Sequence, residues 1–245
     1  MPGIERIALE TANIDTWNRH YLRPESKQSY PDENLVRLIR SLPARDTASS
    51  SPSDDSTSAS RVQSGQARTD SSPAGDTVLR ALDFGCGSGR HIPLLLESGY
   101  RVQGCDSSEN AIVHCKATYP EAEFFRCAGD SAESLLSRER YSLIVCWGVL
   151  HYLTEENARE LLSALCASLI PGGFLLGTLR KDSDTQFTHS AVGDSGIRLS
   201  NETELVRFLE SQFTDYQYGF MERTPLGKTQ QIIAHWFFRA RKPAK

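Results

Sequence analysis

The chain has 245 residues, of which 27 are Lys or Arg and 31 are Asp or Glu, so its formal net charge is −4. This length is enough for one α/β domain with a substantial core, or for a domain with a small appendage. The negative charge disfavours nucleic acid as the main partner, because phosphate binding favours a basic surface. Neither an 18-residue apolar run nor a signal-peptide pattern at the N-terminus is present, so we expect a cytoplasmic protein without a membrane segment.

The cysteine pattern disfavours disulfides and metal sites. The six cysteines are scattered, and none forms a C-x-x-C pair. We expect them to act as small buried apolar residues in a reducing compartment. The six histidines show no spacing typical of metal ligands, so we expect no metal site.

Residues 1–45 are predicted to form an N-terminal helical cap. One helix is expected over Ile4 to Asn13, and a second from about Asp32 to Ser41, with Asp32 as its N-cap and an apolar stripe on one face. Tyr30 is expected to pack against the rest of the protein.

Residues 46–76 have a different composition, rich in Ser, Asp, Thr, Ala, Gly and Pro, with Val62 as the only large apolar side chain. Such a segment buries too little surface to offset the entropy of ordering it. We therefore predict a disordered linker, and a tolerated insertion without chemistry is favoured over a regulatory one.

From residue 77 onward, apolar runs alternate with helical patterns, which predicts a doubly wound α/β sheet. The predicted strands are Val78–Phe84, Arg101–Cys105, Glu123–Cys127, Ser142–Trp147, Phe174–Leu179, Tyr216–Glu222 and Ile232–Ala240, the last two as an antiparallel hairpin. The predicted helices are Arg90–Ser98, Ser108 to before Pro120, Glu155–Leu169 with Thr154 as N-cap, and Ser200–Phe213. Pro171-Gly172-Gly173 is expected to be a turn, and residues 181–199 a long loop.

The turn after the first predicted strand carries glycines at alternate positions, in Gly85-Cys86-Gly87-Ser88-Gly89. Glycine allows positive φ and close approach of a ligand to the backbone. The N-terminus of the following helix favours a carboxylate or a phosphate. The second strand ends at Asp106, which is placed to accept hydrogen bonds from ribose hydroxyls. A dinucleotide fingerprint would place glycine at position 90, where this chain has Arg90.

The chain resembles the class I S-adenosylmethionine (SAM)-dependent methyltransferases over roughly residues 77–240. The resemblance rests on this turn and on Asp83, Asp106, Gly129-Asp130, Val145 to Leu153 and Pro171-Gly172-Gly173. The resemblance implies a Rossmann-like sheet of seven strands with an antiparallel terminal hairpin. It also implies SAM as cofactor, and transfer of its methyl group to an O, N or S nucleophile of a small molecule with release of S-adenosylhomocysteine.

The resemblance implies three groups of cofactor contacts. The glycine turn would hold the methionine part of SAM, with Asp83 orienting it, Asp106 would bind the ribose, and Asp130 the adenine. The alternatives are a purely structural turn, a helix N-cap and a surface aspartate. The implied cofactor-binding residues are Asp83, Gly85, Cys86, Gly87, Gly89, Asp106, Ser107, Asp130, Ser131, Cys146 and Trp147.

The candidate catalytic residues are His151 and Tyr21. Histidine titrates near neutral pH, so His151 is a candidate general base, although packing beside the cofactor is the alternative. Tyr21 and Trp17 either line the substrate pocket or pack the cap against the sheet. His20 and His189 are weaker candidates.

The acceptor is left open by the sequence. No Asn/Asp-Pro-Pro-Tyr motif follows the fourth strand, which argues against amide or adenine N6 methylation, and no metal-dependent O-methyltransferase pattern is present. The alternatives are a tRNA or protein acceptor, a non-catalytic SAM-binding protein, and a nicotinamide-dependent oxidoreductase. The oligomeric state, monomer or dimer, is also open. Acceptor choice is expected to depend on the cap and on the 181–199 loop.

Deleting residues 48–74 is expected to leave the melting temperature and SAM affinity nearly unchanged, because the segment has too few apolar side chains to pack. Thermal denaturation and calorimetry of the deletion variant test this expectation. A large loss of either quantity would show that the segment is not a passive linker.

Overall fold

The computed structural model describes residues 11–43, 79–127, 136, 140–186 and 197–244. The predicted linker lies outside these ranges, as do Asp130 and Ser131. Within the ranges, no helix is both long enough and apolar enough to cross a bilayer.

The described residues form an eight-stranded sheet flanked by helices. The strands are β1 Arg80–Phe84, β2 Arg101–Asp106, β3 Glu123–Arg126, β4 Tyr141–Cys146, β5 Leu169–Lys181, β6 Leu199–Ser200, β7 Asp215–Arg223 and β8 Ile233–Arg241. The α-helices are α1 Thr11–His20, α2 Glu33–Arg40, α3 Ile92–Glu97, α4 Glu109–Thr118, α5 Glu155–Ser168 and α6 Glu202–Glu210, with short 3-10 turns at Pro24–Ser26 and Leu150–Tyr152.

The strand order is β3-β2-β1-β4-β5-β8-β7, and β6 pairs with β5 outside this path. Strands β1 to β6 pair in parallel, whereas β8 runs antiparallel to both β5 and β7. The order reverses between β1 and β4, and ligands of open α/β sheets bind beyond the carboxyl ends of the strands at such a reversal. The predicted doubly wound sheet and its terminal hairpin are confirmed.

The sheet is covered on both faces, which explains why its central strands are buried and mostly apolar. One face packs against α5 and α6, through buried side chains that include Leu162 and Phe208. The other packs against α2, α3 and α4, with Leu35, Ile92 and Ile112 at its centre.

Side-chain caps begin several of the helices. Asp32 accepts a hydrogen bond from the Asn34 N–H and Thr154 one from the Asn157 N–H, so both predicted N-caps are confirmed. Asn201 forms a reciprocal capping box with Glu204 at the start of α6.

The predictions were wrong at two places near β5. The Pro171–Gly173 segment is part of β5 rather than a preceding turn, because the Gly172 N–H and the Gly173 carbonyl pair with Lys242 beyond β8. The expected loop over 181–199 contains the start of β6, which pairs with the end of β5.

The N-terminal predictions also needed correction. The first described helix is α1, which runs well beyond the predicted end at Asn13. Tyr30 is 85% exposed and therefore does not pack as expected. It lies in the irregular segment between Ser26 and α2, which leaves its ring in solvent.

The glycines of the first βα turn have φ values of 75°, 54° and 80° at Gly85, Gly87 and Gly89, a region that L side chains rarely adopt. Side chains of the protein itself approach each of them. A Cβ on Gly85 would lie 2.3 Å from Val149 Cγ2, and one on Gly87 would lie 2.3 Å from the Tyr21 hydroxyl oxygen. The turn therefore needs glycine both for its backbone conformation and for these close approaches.

Substituting Gly87→Ala is expected to destabilise the fold through both effects. Gly227→Ala is the matched control, because Gly227 has φ 75° with no atom within 4 Å of the added Cβ. The free energy of unfolding should fall by about 1–2 kcal/mol in the control, from backbone strain alone. In Gly87→Ala it should fall by about 1–3 kcal/mol more, from crowding. Urea denaturation measures both, and equal losses would show that Tyr21 does not press on the turn. Adding Tyr21→Phe to Gly87→Ala should recover part of the extra loss.

Candidate active site

A cleft opens at the carboxyl ends of β1, β2 and β4, where the strand order reverses. It encloses about 520 Å³ of space, part of which is open solvent. Its lining is formed by Trp17, Tyr21, Phe84, Gly85, Cys105, Asp106, Ser107, Cys127, Gly148, Val149 and Tyr152. Four of the predicted site residues are in this set: Tyr21, Gly85, Asp106 and Ser107.

Asp106 lies at the floor of the cleft with its carboxylate fixed by backbone donors. Oδ2 accepts a hydrogen bond of 2.9 Å from the Gly87 N–H, and Oδ1 accepts one of 2.9 Å from the Ser108 N–H. Burial raises the pKa of the Asp106 carboxyl, and the backbone hydrogen bonds oppose that rise. Asp106 is the one carboxylate among the described lining residues.

Beneath the glycine turn lies a second buried acidic group, Asp83. Its Oδ1 is 3.5 Å from Nδ1 of His91, and both side chains are almost fully buried. Asp83 Oδ2 and His91 Nε2 have no hydrogen-bond partner among the described residues. Asp83 is not among the residues that line the cleft.

The aromatic side of the cleft comes from α1 and from the turn after β4. The Trp17 and Tyr152 rings meet edge to face at 5.0 Å between centroids, and Trp17 stacks on Tyr21 at 6.2 Å. Burial, followed by the charge of Asp106, raises the pKa of Tyr21 well above its ordinary value. Tyr21 is therefore a neutral phenol, which donates a hydrogen bond far more readily than it accepts a proton.

Hydrogen bonds tie the N-terminal cap to both sides of the glycine turn. Asn18 Oδ1 accepts from the Ser108 hydroxyl at 2.9 Å, and the Asn18 carbonyl accepts from the Asn110 amide at 3.0 Å. Further along, the Gln28 carbonyl accepts from the Ser88 hydroxyl at 2.9 Å. These bonds hold Trp17 and Tyr21 over the cleft, so both residues line the pocket as well as pack the cap.

Other predicted residues lie outside the cleft lining. Cys146 and Trp147 are buried in the core on opposite faces of the sheet. Cys86 is also buried, and Gly89 packs against Tyr119 and Cys115 rather than facing the cleft. All six cysteines are free and buried. Within the described ranges, no group of three or more His, Cys, Asp or Glu side chains is arranged to hold a metal ion.

The 3-10 turn after β4 separates the two neighbouring residues His151 and Tyr152. The His151 ring is buried, and its Nδ1 has no partner among the described residues, whereas Tyr152 lines the cleft. Burial, then the charges of Arg180, His235 and Arg198, holds the pKa of His151 well below its usual value. His151 is therefore neutral at physiological pH and has little tendency to take up a proton.

Sequence reasoning missed the polar group behind Tyr152. Arg180, at the end of β5, forms a buried ion pair of 2.6 Å with Asp184. His235 from β8 lies beside it, 5.8 Å from His151 between ring centroids. The signal in the sequence was the charged pair Arg180 and Asp184, which directly follows a run of apolar residues. Asp184 falls at the start of the predicted 181–199 loop.

Comparisons with known proteins agree with this architecture. Residues 81–173 match the family model described as a methyltransferase domain. A probable S-adenosylmethionine-dependent methyltransferase of Mycolicibacterium smegmatis is 29% identical over 139 residues, which cover 56% of this chain and 51% of that protein. A ubiquinone biosynthesis O-methyltransferase of a Bradyrhizobium species is 28% identical over 118 residues, or 47% of this chain and 45% of that protein.

Among solved structures, a SAM-dependent methyltransferase from Archaeoglobus fulgidus superposes with a TM-score of 0.55 at 18% identity, covering 68% of this chain and 87% of that one. The chain spans about half the length of the curated relatives it matches. The glycine turn, the Asp106 carboxylate at the strand-order reversal and the terminal hairpin agree with these matches: residues 81–173 are similar to a methyltransferase domain, and the sheet has the fold of solved SAM-dependent methyltransferases.

Proposed function

We propose that this protein transfers a methyl group from SAM to an O, N or S nucleophile of a small molecule and releases S-adenosylhomocysteine. The observation that carries the proposal is the buried Asp106 carboxylate, which faces the glycine turn at the floor of a cleft roofed by aromatic side chains. The names of the Mycolicibacterium and Bradyrhizobium relatives support the same reaction type.

The residues of the cleft fit the cofactor. A carboxylate offers about four lone-pair sites, and the Gly87 and Ser108 N–H groups each use one at Asp106. The Ser107 N–H also interacts with the carboxylate, so about one site remains for a ribose hydroxyl. Gly85, the glycine of the turn that lines the cleft, would face the methionine part of SAM, while Ser107 and Cys127 would border the nucleoside.

The chemistry that SAM supplies is a methyl group on a positively charged sulfur. The protein's part is to align the acceptor with the S–CH3 bond and to keep water away from it. Trp17, Tyr21 and Tyr152 would do this by enclosing the cleft, and their ring faces would also attract a sulfonium. Neither Tyr21 nor His151 is in a state that favours proton uptake, so we do not assign general-base catalysis to them.

A small acceptor is favoured by how the cap covers the cleft. The contacts of Asn18 and Gln28 bring α1 and the following segment over the glycine turn. A cleft covered in this way favours a small acceptor over a macromolecule. The free, buried cysteines are consistent with a reducing compartment, which supports a cytoplasmic location.

The substitution Asp106→Ala tests the cofactor site. It is expected to weaken SAM binding by about 1–3 kcal/mol, or about 5- to 150-fold, because hydrogen bonds to a charged group are lost. Asp215→Ala is the control, since Asp215 is an exposed carboxylate on β7. Calorimetry measures both affinities, and circular dichroism checks that both variants remain folded.

Unchanged affinity in a folded Asp106→Ala variant would remove this carboxylate from the site, and absence of SAM binding by the unsubstituted protein would overturn the proposed function. Transfer itself is measured as release of S-adenosylhomocysteine with a panel of small oxygen, sulfur and nitrogen nucleophiles. SAM binding with no turnover across that panel and with RNA or protein acceptors would favour a non-catalytic role.

A further inference from the structure

The two edge strands of the sheet differ in length. At one edge, β3 has four residues, which is typical of the short edge strands that limit unwanted pairing. At the other edge, β7 has nine residues and pairs with β8 without a bulge from Asp215 to Arg223. Among the described residues, β8 is the only strand that pairs with β7, so alternate N–H and C=O groups along the outer side of β7 have no strand partner. β7 is therefore a long and regular edge to which a further strand can add.

The centre of β7 lacks the features that commonly protect an exposed edge. Those features are proline, lysine, a bulge or an inward-pointing charge, and the central part of β7 has none of them. There, Tyr218 and Phe220 are 37% and 57% exposed. The charged side chains lie at the ends of the strand, with Asp215 at its start and Glu222 and Arg223 at its finish. This pattern fits pairing with a strand that carries aromatic residues at its centre and complementary charges at its ends.

The pattern of β7 is complementary to itself. When two copies of the strand run antiparallel about a two-fold axis at Gly219, Asp215 of each copy lies opposite Arg223 of the other. Tyr218 likewise lies opposite Phe220, so aromatic side chains meet on both sides of the axis. Directly opposite side chains of an antiparallel pair share one face of the sheet, and opposite charges or aromatic rings in such positions are stabilising. In this register no two like charges lie opposite each other.

The two charges needed for this pairing are available. Asp215 and Arg223 are both exposed. Arg223 lies opposite Ile233 on β8, and that apolar side chain offers no counter-charge. Arg241 lies opposite Asp215, but its Nε donates a hydrogen bond of 3.3 Å to the Gly172 carbonyl. Pairing with a second copy would give Asp215 and Arg223 one charged partner each.

The complementarity selects one register. Moving the two-fold axis by one residue, to Tyr218, places Asp215 opposite Met221. Moving it by one residue in the other direction leaves Asp215 beyond the end of the paired region. Either change removes both ion pairs and shortens the paired length, so the axis at Gly219 is favoured.

We infer that two copies of this chain form a symmetric dimer in which their β7 strands pair antiparallel about Gly219. Such an interface uses the same surface on both copies, as two-fold dimers do. The candidate active site lies at the ends of β1, β2 and β4, and β5 and β8 separate these strands from β7. The dimer therefore leaves the cleft open. The inference does not depend on SAM binding or on the methyl acceptor, so it stands or fails separately from the proposed function.

The test is a charge swap measured by sedimentation velocity on the full chain at low ionic strength. The unsubstituted protein is expected to dimerise. Arg223→Asp and Asp215→Arg should each raise the dissociation constant of the dimer about tenfold or more, because the two-fold axis turns either change into two like-charge contacts. Lys116→Asp and Glu97→Arg are the matched controls, since they make the same changes in charge at exposed positions on α4 and α3. Both controls should dimerise like the unsubstituted protein.

Mixing equal amounts of the two β7 variants should restore association as a mixed dimer, because one variant supplies only acidic ends and the other only basic ends. Native mass spectrometry identifies the mixed dimer by its mass, and circular dichroism checks that every variant is folded. A chain carrying both substitutions should dimerise again with itself. A monomeric unsubstituted protein, a dimer that neither charge reversal weakens, or a mixture that fails to form the mixed dimer would each overturn the inference.

Discussion

Two backbone N–H groups donate hydrogen bonds to Asp106, and these bonds connect the segments that form the site. The Gly87 donor belongs to the turn after β1, and the Ser108 donor begins α4, so one carboxylate links two βα units at the strand-order reversal. A buried carboxylate is costly, as its raised pKa reflects, and the two donors offset part of that cost. The same group is then already desolvated and oriented for a ligand, so binding does not have to supply that free energy.

The features predicted well from the sequence are those set by local chemistry. Strands bounded by turn residues, glycines at alternate positions and a carboxylate at a strand end all follow from the residues themselves. The N-caps at Asp32 and Thr154 belong to the same class, because the capping side chain and the N–H that it accepts from are close in the chain.

The features that escaped prediction depend on contacts between distant segments. The sequence does not show which of His151 and Tyr152 faces the cleft. The two residues lie in a one-turn 3-10 helix, and the orientation of that turn decides which side chain points outward. The extension of β5 through Gly172 is likewise set by its pairing with Lys242, about 70 positions away. The ring contact between His151 and His235 joins the turn after β4 to β8, and only the sheet order brings these segments together.

The attachment of α1 affects access to the cleft. Within the described ranges, α1 is held by the hydrogen bonds that Asn18 accepts from Ser108 and Asn110 and by ring contacts of Trp17, whereas the sheet beneath is held by continuous strand ladders. Segments with few anchoring contacts detach at a much lower free energy than the global transition requires. Tyr21 and Trp17 move with this segment, so the aromatic side of the cleft can open while the sheet stays rigid. Under the proposed function, a local opening of this segment would admit and release the ligands of the cleft, at positions remote from the reacting atoms.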